Sequence, residues 1–91
     1  MEMKEAYRNE RFKVLNVSLN FGEAMPLHEA SSDAFIIGRK GKGKISFADR
    51  EVILSAGETV LIKAHEPHKM DIIEDFCSSI ILEPDAKIQF V

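Results

Sequence analysis

The chain has 91 residues and a mass of 10.3 kDa, which allows one domain built on one modest core. Hydrophobic residues make up 45% and charged residues 30%, the balance of a folded globular domain rather than a disordered one. A formal net charge of −3 argues against nucleic-acid binding by phosphate neutralisation, and a single cysteine excludes an intrachain disulfide framework or a cysteine-rich zinc site.

Met1 to Lys13 interleave acidic and basic residues and read as a solvated N-terminal arm or a short helix, ahead of a single domain over residues 14–91. The opening Met1-Glu2-Met3-Lys4-Glu5 lacks the apolar stretch of a signal peptide, and no apolar run nears the roughly eighteen residues that span a bilayer. The expectation is a cytoplasmic chain with neither a membrane nor a nucleic acid as partner. From Val14 the hydrophobic period becomes two. Leu15, Val17, Leu19 and Phe21 share one face of a strand, which Gly22 ends. Ala34 to Ile37 form a short apolar strand running into Gly38-Arg39-Lys40-Gly41-Lys42-Gly43, a turn or bulge. Its lysines suit the protection of a hairpin or sheet edge. Ile45 to Phe47 alternate again, Ala48 to Arg50 turn, and Glu51 to Leu54 return. Thr59 to Ile62 read as a buried strand. Pro67 closes a loop, and strands follow over His68 to Ile72, Ser78 to Leu82 and Lys87 to Phe90. Strands recurring every eight to twelve residues, with no sustained helical period, predict an all-β sandwich or barrel.

The spacing of glycines and histidines within that pattern resembles the cupin superfamily, the double-sheeted jelly-roll β-barrels. The family's first motif reads G-x5-H-x-H-x3,4-E-x6-G. Here Gly22, His28 and Gly41 match, while Ala30 and Ala34 stand in place of the second histidine and the glutamate. The second motif reads G-x5-P-x-G-x2-H-x3-N. Gly57 and His68 match, and Lys63, His65 and Ile72 replace the proline, glycine and asparagine. The resemblance covers roughly residues 14 to 91. It implies an all-β double-stranded β-helix (jelly-roll) barrel with a short N-terminal arm and an interior pocket.

In the family, three histidines and a glutamate hold a divalent metal, commonly Fe, Mn, Ni or Zn. Only His28 and His68 remain at those positions, and alanine offers no lone pair. By alternation His28 and Ala30 share a face, as do Ala34 and Ile36, and His68 with Met70. If those faces line the barrel, the expected pocket holds two imidazoles, Met70 and apolar walls. His28 and His68 are the candidate metal ligands. His65 is a possible third, and Glu29 or Asp33 a possible oxygen donor, although alternation turns Glu29 away from His28. The first functional expectation is a small-molecule-binding cupin with two histidines as polar anchors. The alternative is a metal-dependent enzyme of dioxygenase, isomerase or decarboxylase type with non-standard ligands. A third reading is a regulatory module with a vestigial pocket. Cys77, without a basic neighbour in sequence, reads as an inert thiol. In small cupins a strand such as Leu15–Phe21 pairs with a second subunit's sheet, and the thin core of a short chain favours it, so a homodimer is expected.

Overall fold

The computed structural model describes residues 1–91 and contains eight strands and no helix. They are β1 (Glu2–Arg8), β2 (Lys13–Leu19), β3 (Ala24–Ala30), β4 (Ala34–Ser46), β5 (Glu51–Ser55), β6 (Thr59–Ile62), β7 (His68–Leu82) and β8 (Ile88–Phe90). All pairings are antiparallel. The sheet runs β1-β2-β7-β3-β8, and β4 joins it by pairing with β5, β6 and β7. No helix is present that could cross a membrane.

Two long strands form the spine. The start of β4 (Phe35 to Gly38) faces the end of β7 (Ser78 to Ile81), and the end of β4 (Gly43 to Ser46) faces its beginning (Lys69 to Ile72). The opposite edge of β7 takes β2 along Phe76 to Leu82 and β3 along His68 to Asp71. Strand twist and bulges curl this sheet into a jelly-roll barrel, with one face inward. The period of two decides which side chains that face carries: Leu15, Val17 and Leu19 from β2, Ala34, Ile36 and Ile45 from β4, and Met70, Ile72, Phe76 and Leu82 from β7. Fifteen buried residues form one hydrophobic cluster, in which Phe76, Leu19, Ile45, Leu54 and Ile62 are almost sealed from solvent.

Several local readings change. Phe21 lies past the end of β2 and is exposed, and of Thr59–Ile62 only Ile62 is buried. The first thirteen residues are neither a helix nor a loose arm. Glu2–Arg8 form strand β1 on the edge of β2, exposed along its whole length, so its mixed charges carry no buried periodicity that would mark a strand. The segment from Gly38 to Gly43 does not turn. It stays in β4 as an irregular stretch, with register shifts between Gly38 and Lys40, Lys40 and Lys42, and Lys42 and Gly43. Lys40, Lys42 and Lys44 accordingly sit on an interior strand and face outward rather than guarding an edge, and Lys44 reaches Glu51 at 3.5 Å. His68–Ile72 and Ser78–Leu82 are one continuous strand. Finally, β2 has no free edge, because β1 and β7 flank it within the chain. The free backbone edge on that side belongs to β1.

The outer face carries one apolar row across five strands. Tyr7 pairs with Val14, Val14 with Ile81, Ile81 with Phe35, and Phe35 with Leu61. Tyr7, Phe35 and Leu61 are exposed, although aromatic and aliphatic cross-strand neighbours stabilise the sheet.

Candidate functional site

The site grows from one cross-strand pair. His28 on β3 lies directly opposite His68 on β7. Both side chains point inward and are buried, and their rings sit 4.2 Å apart at a 60° tilt. Each ring is fixed by the same local device. His28 Nδ1 lies 2.7 Å from the carbonyl oxygen of Pro26, and His68 Nδ1 lies 2.9 Å from that of Glu66. A carbonyl only accepts, so both Nδ1 atoms carry the proton and donate it. With Nδ1 as the donor, Nε2 of a neutral imidazole is a lone-pair acceptor, and neither Nε2 has a hydrogen-bond partner in the protein.

The surroundings hold these rings in place. Phe90 on β8 packs against His28 with ring centroids 5.7 Å apart, and Phe47 approaches His68 at 5.9 Å. The Arg50 guanidinium lies 3.8 Å over the Phe47 ring and bonds both carboxylate oxygens of Glu66 at 3.0 and 3.3 Å. That clamp orders the loop whose carbonyl orients His68. The charge-assisted bond from Arg50 also holds the Glu66 carboxyl below the usual carboxylate range.

His28, His68, Ala30, Ala34, Ile36 and Met70 all line one cavity. Eleven of its fourteen lining residues are hydrophobic, and the other three are His28, His68 and Ser78. No charged side chain lines it. The cavity has a volume of about 40 Å³ and opens to solvent. That is room for a few water molecules.

Other members of this wall were not legible in the sequence. Met25 pairs with Met70 and faces inward with His28 although the two are three residues apart, because a bulge separates them. Ser78 follows the even-numbered inner face of β7, a parity visible only once that strand is continuous. Met3 comes from β1, whose sequence carries no inward period.

The remaining sequence candidates lie elsewhere. His65 is a loop residue with φ of +65° and an exposed side chain, 3.5 Å from Glu29 Oε1 and outside the cavity wall. Glu29 turns away from His28, as alternation requires. Asp33 accepts the Ala64 amide N–H at 2.8 Å and so braces the same loop. Cys77 is half-buried on β7, with Ser18 Oγ 3.5 Å from its sulfur. No group of three or more His, Cys, Asp or Glu side chains converges anywhere in the fold. The donor set for a family-type divalent centre is therefore missing: two imidazoles face the methyl groups of Ala30 and Ala34, and both nearby carboxylates are engaged outside. The residues do not fit that metal.

Burial holds the His28 pKa below the ordinary histidine value, the Pro26 carbonyl opposes the shift, and charge on His68 adds to it. The sign for stability follows from linkage. The folded value lies below the unfolded value of about 6.5, so in the window between them the unfolded chain holds more protons. Stability is complete above that window and falls as pH drops through it, by at most about 1.4 kcal/mol per pH unit for one proton. Urea unfolding at pH 7.5 and 5.5 should show a larger loss for the parent than for His28→Gln. Equal losses would remove His28 as the cause.

An antiparallel jelly-roll barrel enclosing a small apolar pocket with inward histidines defines the class of protein. Residues 16–77 match the family model described as the cupin domain, and the chain belongs to that family. Solved structures with the same fold include a cupin superfamily protein from Desulfitobacterium hafniense, with a TM-score of 0.83 and 20% identity over 92% of this chain and 77% of that one. KdgF from Halomonas sp. superposes with a TM-score of 0.82 and 17% identity over 90% of this chain and 78% of that one. The DMSP lyase DddQ from Ruegeria pomeroyi superposes with a TM-score of 0.83 and 14% identity, over 91% of this chain but 44% of the lyase. At these identities the likeness establishes the fold. No curated protein matches the sequence.

Proposed function

We propose that this chain is a small-molecule-binding cupin, with residues 14–91 as the binding domain and residues 1–13 covering one flank through Met3. The observation that carries the reading is the pair of Nε2 acceptors of His28 and His68, held in register in a cavity without a charged wall. Such a site favours a compact, uncharged molecule. Its hydroxyl or amide N–H donates to an imidazole, and its apolar body packs on Ile36, Met70 and the two alanines. Carboxylates and phosphates are disfavoured, because burying an anion beside neutral imidazoles costs several kcal/mol without a paired cation. The small interior limits the buried part to a few heavy atoms, with the rest in the mouth. A cytoplasmic location accords with this reading.

The test is a thermal-shift screen of neutral hydroxylated and amide compounds against their carboxylate analogues. Neutral compounds should raise the Tm of the parent and leave Ala34→Phe, whose ring fills the cavity, unmoved. A screen in which only anions stabilise, or in which Ala34→Phe responds equally, would sink the proposal.

The same proposal includes a homodimer. Its support is the apolar row from Tyr7 to Leu61, five strands wide on the outer face, together with the short chain's thin core. Light scattering at micromolar concentration should give twice the chain mass, and Phe35→Lys with Leu61→Lys should give the monomer. A parent of monomer mass refutes the pairing.

A further inference from the structure

Three polar side chains interrupt the apolar cavity wall: His28, His68 and Ser78. They stand on facing layers of the barrel. The His28–His68 pair lies where β3 meets the first residues of β7, in the layer that Gly43 to Ser46 of β4 complete. Ser78 lies on the later part of β7, between Val17 of β2 and Gly38 of β4, in the other layer. Packed β layers stand about 10 Å apart, so inward side chains from both reach into one shared space. Ser78 is only 2% exposed, and its hydroxyl makes no hydrogen bond within the protein. Neither cross-strand neighbour can supply one from a side chain, because Val17 is apolar and Gly38 has none. Every fully sealed side-chain nitrogen or oxygen in the fold has a partner, so the unbonded Ser78 Oγ and the two unbonded Nε2 atoms are not packed over. They border the cavity that their residues line. Buried polar groups are paired as a rule, and an unpaired set around one void calls for an occupant.

We propose that the cavity selects a primary carboxamide, a choice of chemical group that deepens the small-molecule reading and rests on it. The count of donors and acceptors carries it. On one layer, two Nε2 atoms accept and need two donors. On the other, the Ser78 hydroxyl has a proton to give and needs one acceptor. A primary carboxamide carries two N–H donors on one nitrogen and a carbonyl oxygen on the adjoining carbon. Its two N–H bonds go to His28 and His68, and its carbonyl accepts from Ser78 Oγ–H. An alcohol has a single O–H and leaves one Nε2 unpaired. A ketone or an ester leaves both unpaired, and a carboxylate has no donor and brings a charge. Burying an amide is unfavourable unless each polar atom is bonded, so the match that admits a carboxamide also rejects its analogues. The group has only three heavy atoms, in keeping with a cavity of about 40 Å³. Its apolar substituent packs on Ile36 and Met70 and extends towards the mouth.

The experiment is an NMR titration of the full chain at pH 7.5 with three neutral probes of similar size. Propionamide carries both N–H donors and the carbonyl. Butanone keeps the carbonyl and puts a methyl group where the amide nitrogen stands. Pyrrole has an N–H donor and no acceptor oxygen. Propionamide should bind at least about tenfold more tightly than butanone, and Ser78→Ala should weaken propionamide about tenfold while leaving pyrrole unchanged. A merely structural effect of that substitution would move both probes. Butanone binding as tightly as propionamide, or Ser78→Ala changing neither probe or both alike, overturns the carboxamide. If Ser78→Ala fails to fold, the comparison of propionamide with butanone in the parent decides the matter alone. Pyrrole binding without a preference for propionamide over butanone removes the carboxamide and leaves the small-molecule reading standing. If none of the three probes binds, that reading falls and the carboxamide with it.

Discussion

Phe76→Ala should lower stability by about 3–5 kcal/mol and Tm by at least about 12 °C. Phe76 is 1% exposed and is the largest sealed side chain in the core. It projects inward from the middle of β7, opposite Leu19 on β2. On the other side its ring edge lies over Gly43, where an added Cβ would stand 3.3 Å from Cδ2 and Cε2. The ring therefore fills a space that β4 leaves open by having no side chain there, beside the sulfur of Met70. Truncation loses both the transfer energy and the contacts around the void. A domain of this size has roughly 5–15 kcal/mol in total, so the variant should be substantially unfolded near physiological temperature. Phe76→Leu keeps much of the volume and should cost less. A loss below about 1 kcal/mol for alanine, measured by urea unfolding, would mean that the barrel collapses around the site.

Gly41→Ala should destabilise nearly as much, for a different reason. Gly41 occupies φ of +74° in the irregular part of β4, and a Cβ there would overlap the carbonyl oxygen of Asp75 on the facing strand. Left-handed backbone costs a non-glycine residue about 1–3 kcal/mol, and the overlap with the main chain of β7 adds to it, because β4 and β7 cannot separate without breaking the spine of the sheet. Gly57→Ala provides the comparison. Its φ is +86°, but no atom lies within 4 Å of the added methyl, so only the conformational cost applies. The difference between the two variants, read from urea midpoints at equal slope, measures the steric part. Equal losses at the two positions would show that β7 yields to the methyl.

The amino-acid pattern by itself determined the class of fold. Strict alternation in Leu15, Val17 and Leu19, the β-branched run at Thr59 to Ile62, and glycines at 22 and 57 specify strands and their breaks through local chemistry, since a period of two can bury only one face of a sheet. The same alternation put His28, Ala30, Ala34, Ile36, His68 and Met70 on faces that the cupin motif spacing assigns to the barrel interior. What it could not supply was every feature that depends on a distant partner. Strand β1 exists because β2 offers it an edge, while its own residues are exposed and mixed in charge. The glycine-rich segment stays extended because β7 lies alongside and absorbs its register shifts. Met25 joins the two histidines only through the bulge in β3, which breaks the parity on which alternation relies. The 4.2 Å approach of the two rings, and the carbonyls that leave both Nε2 atoms free, arise where β3 meets β7. Side-chain period is a property of one strand, whereas convergence, cavity volume and lone-pair direction are properties of strands far apart in the chain. Only the closed sheet decides them.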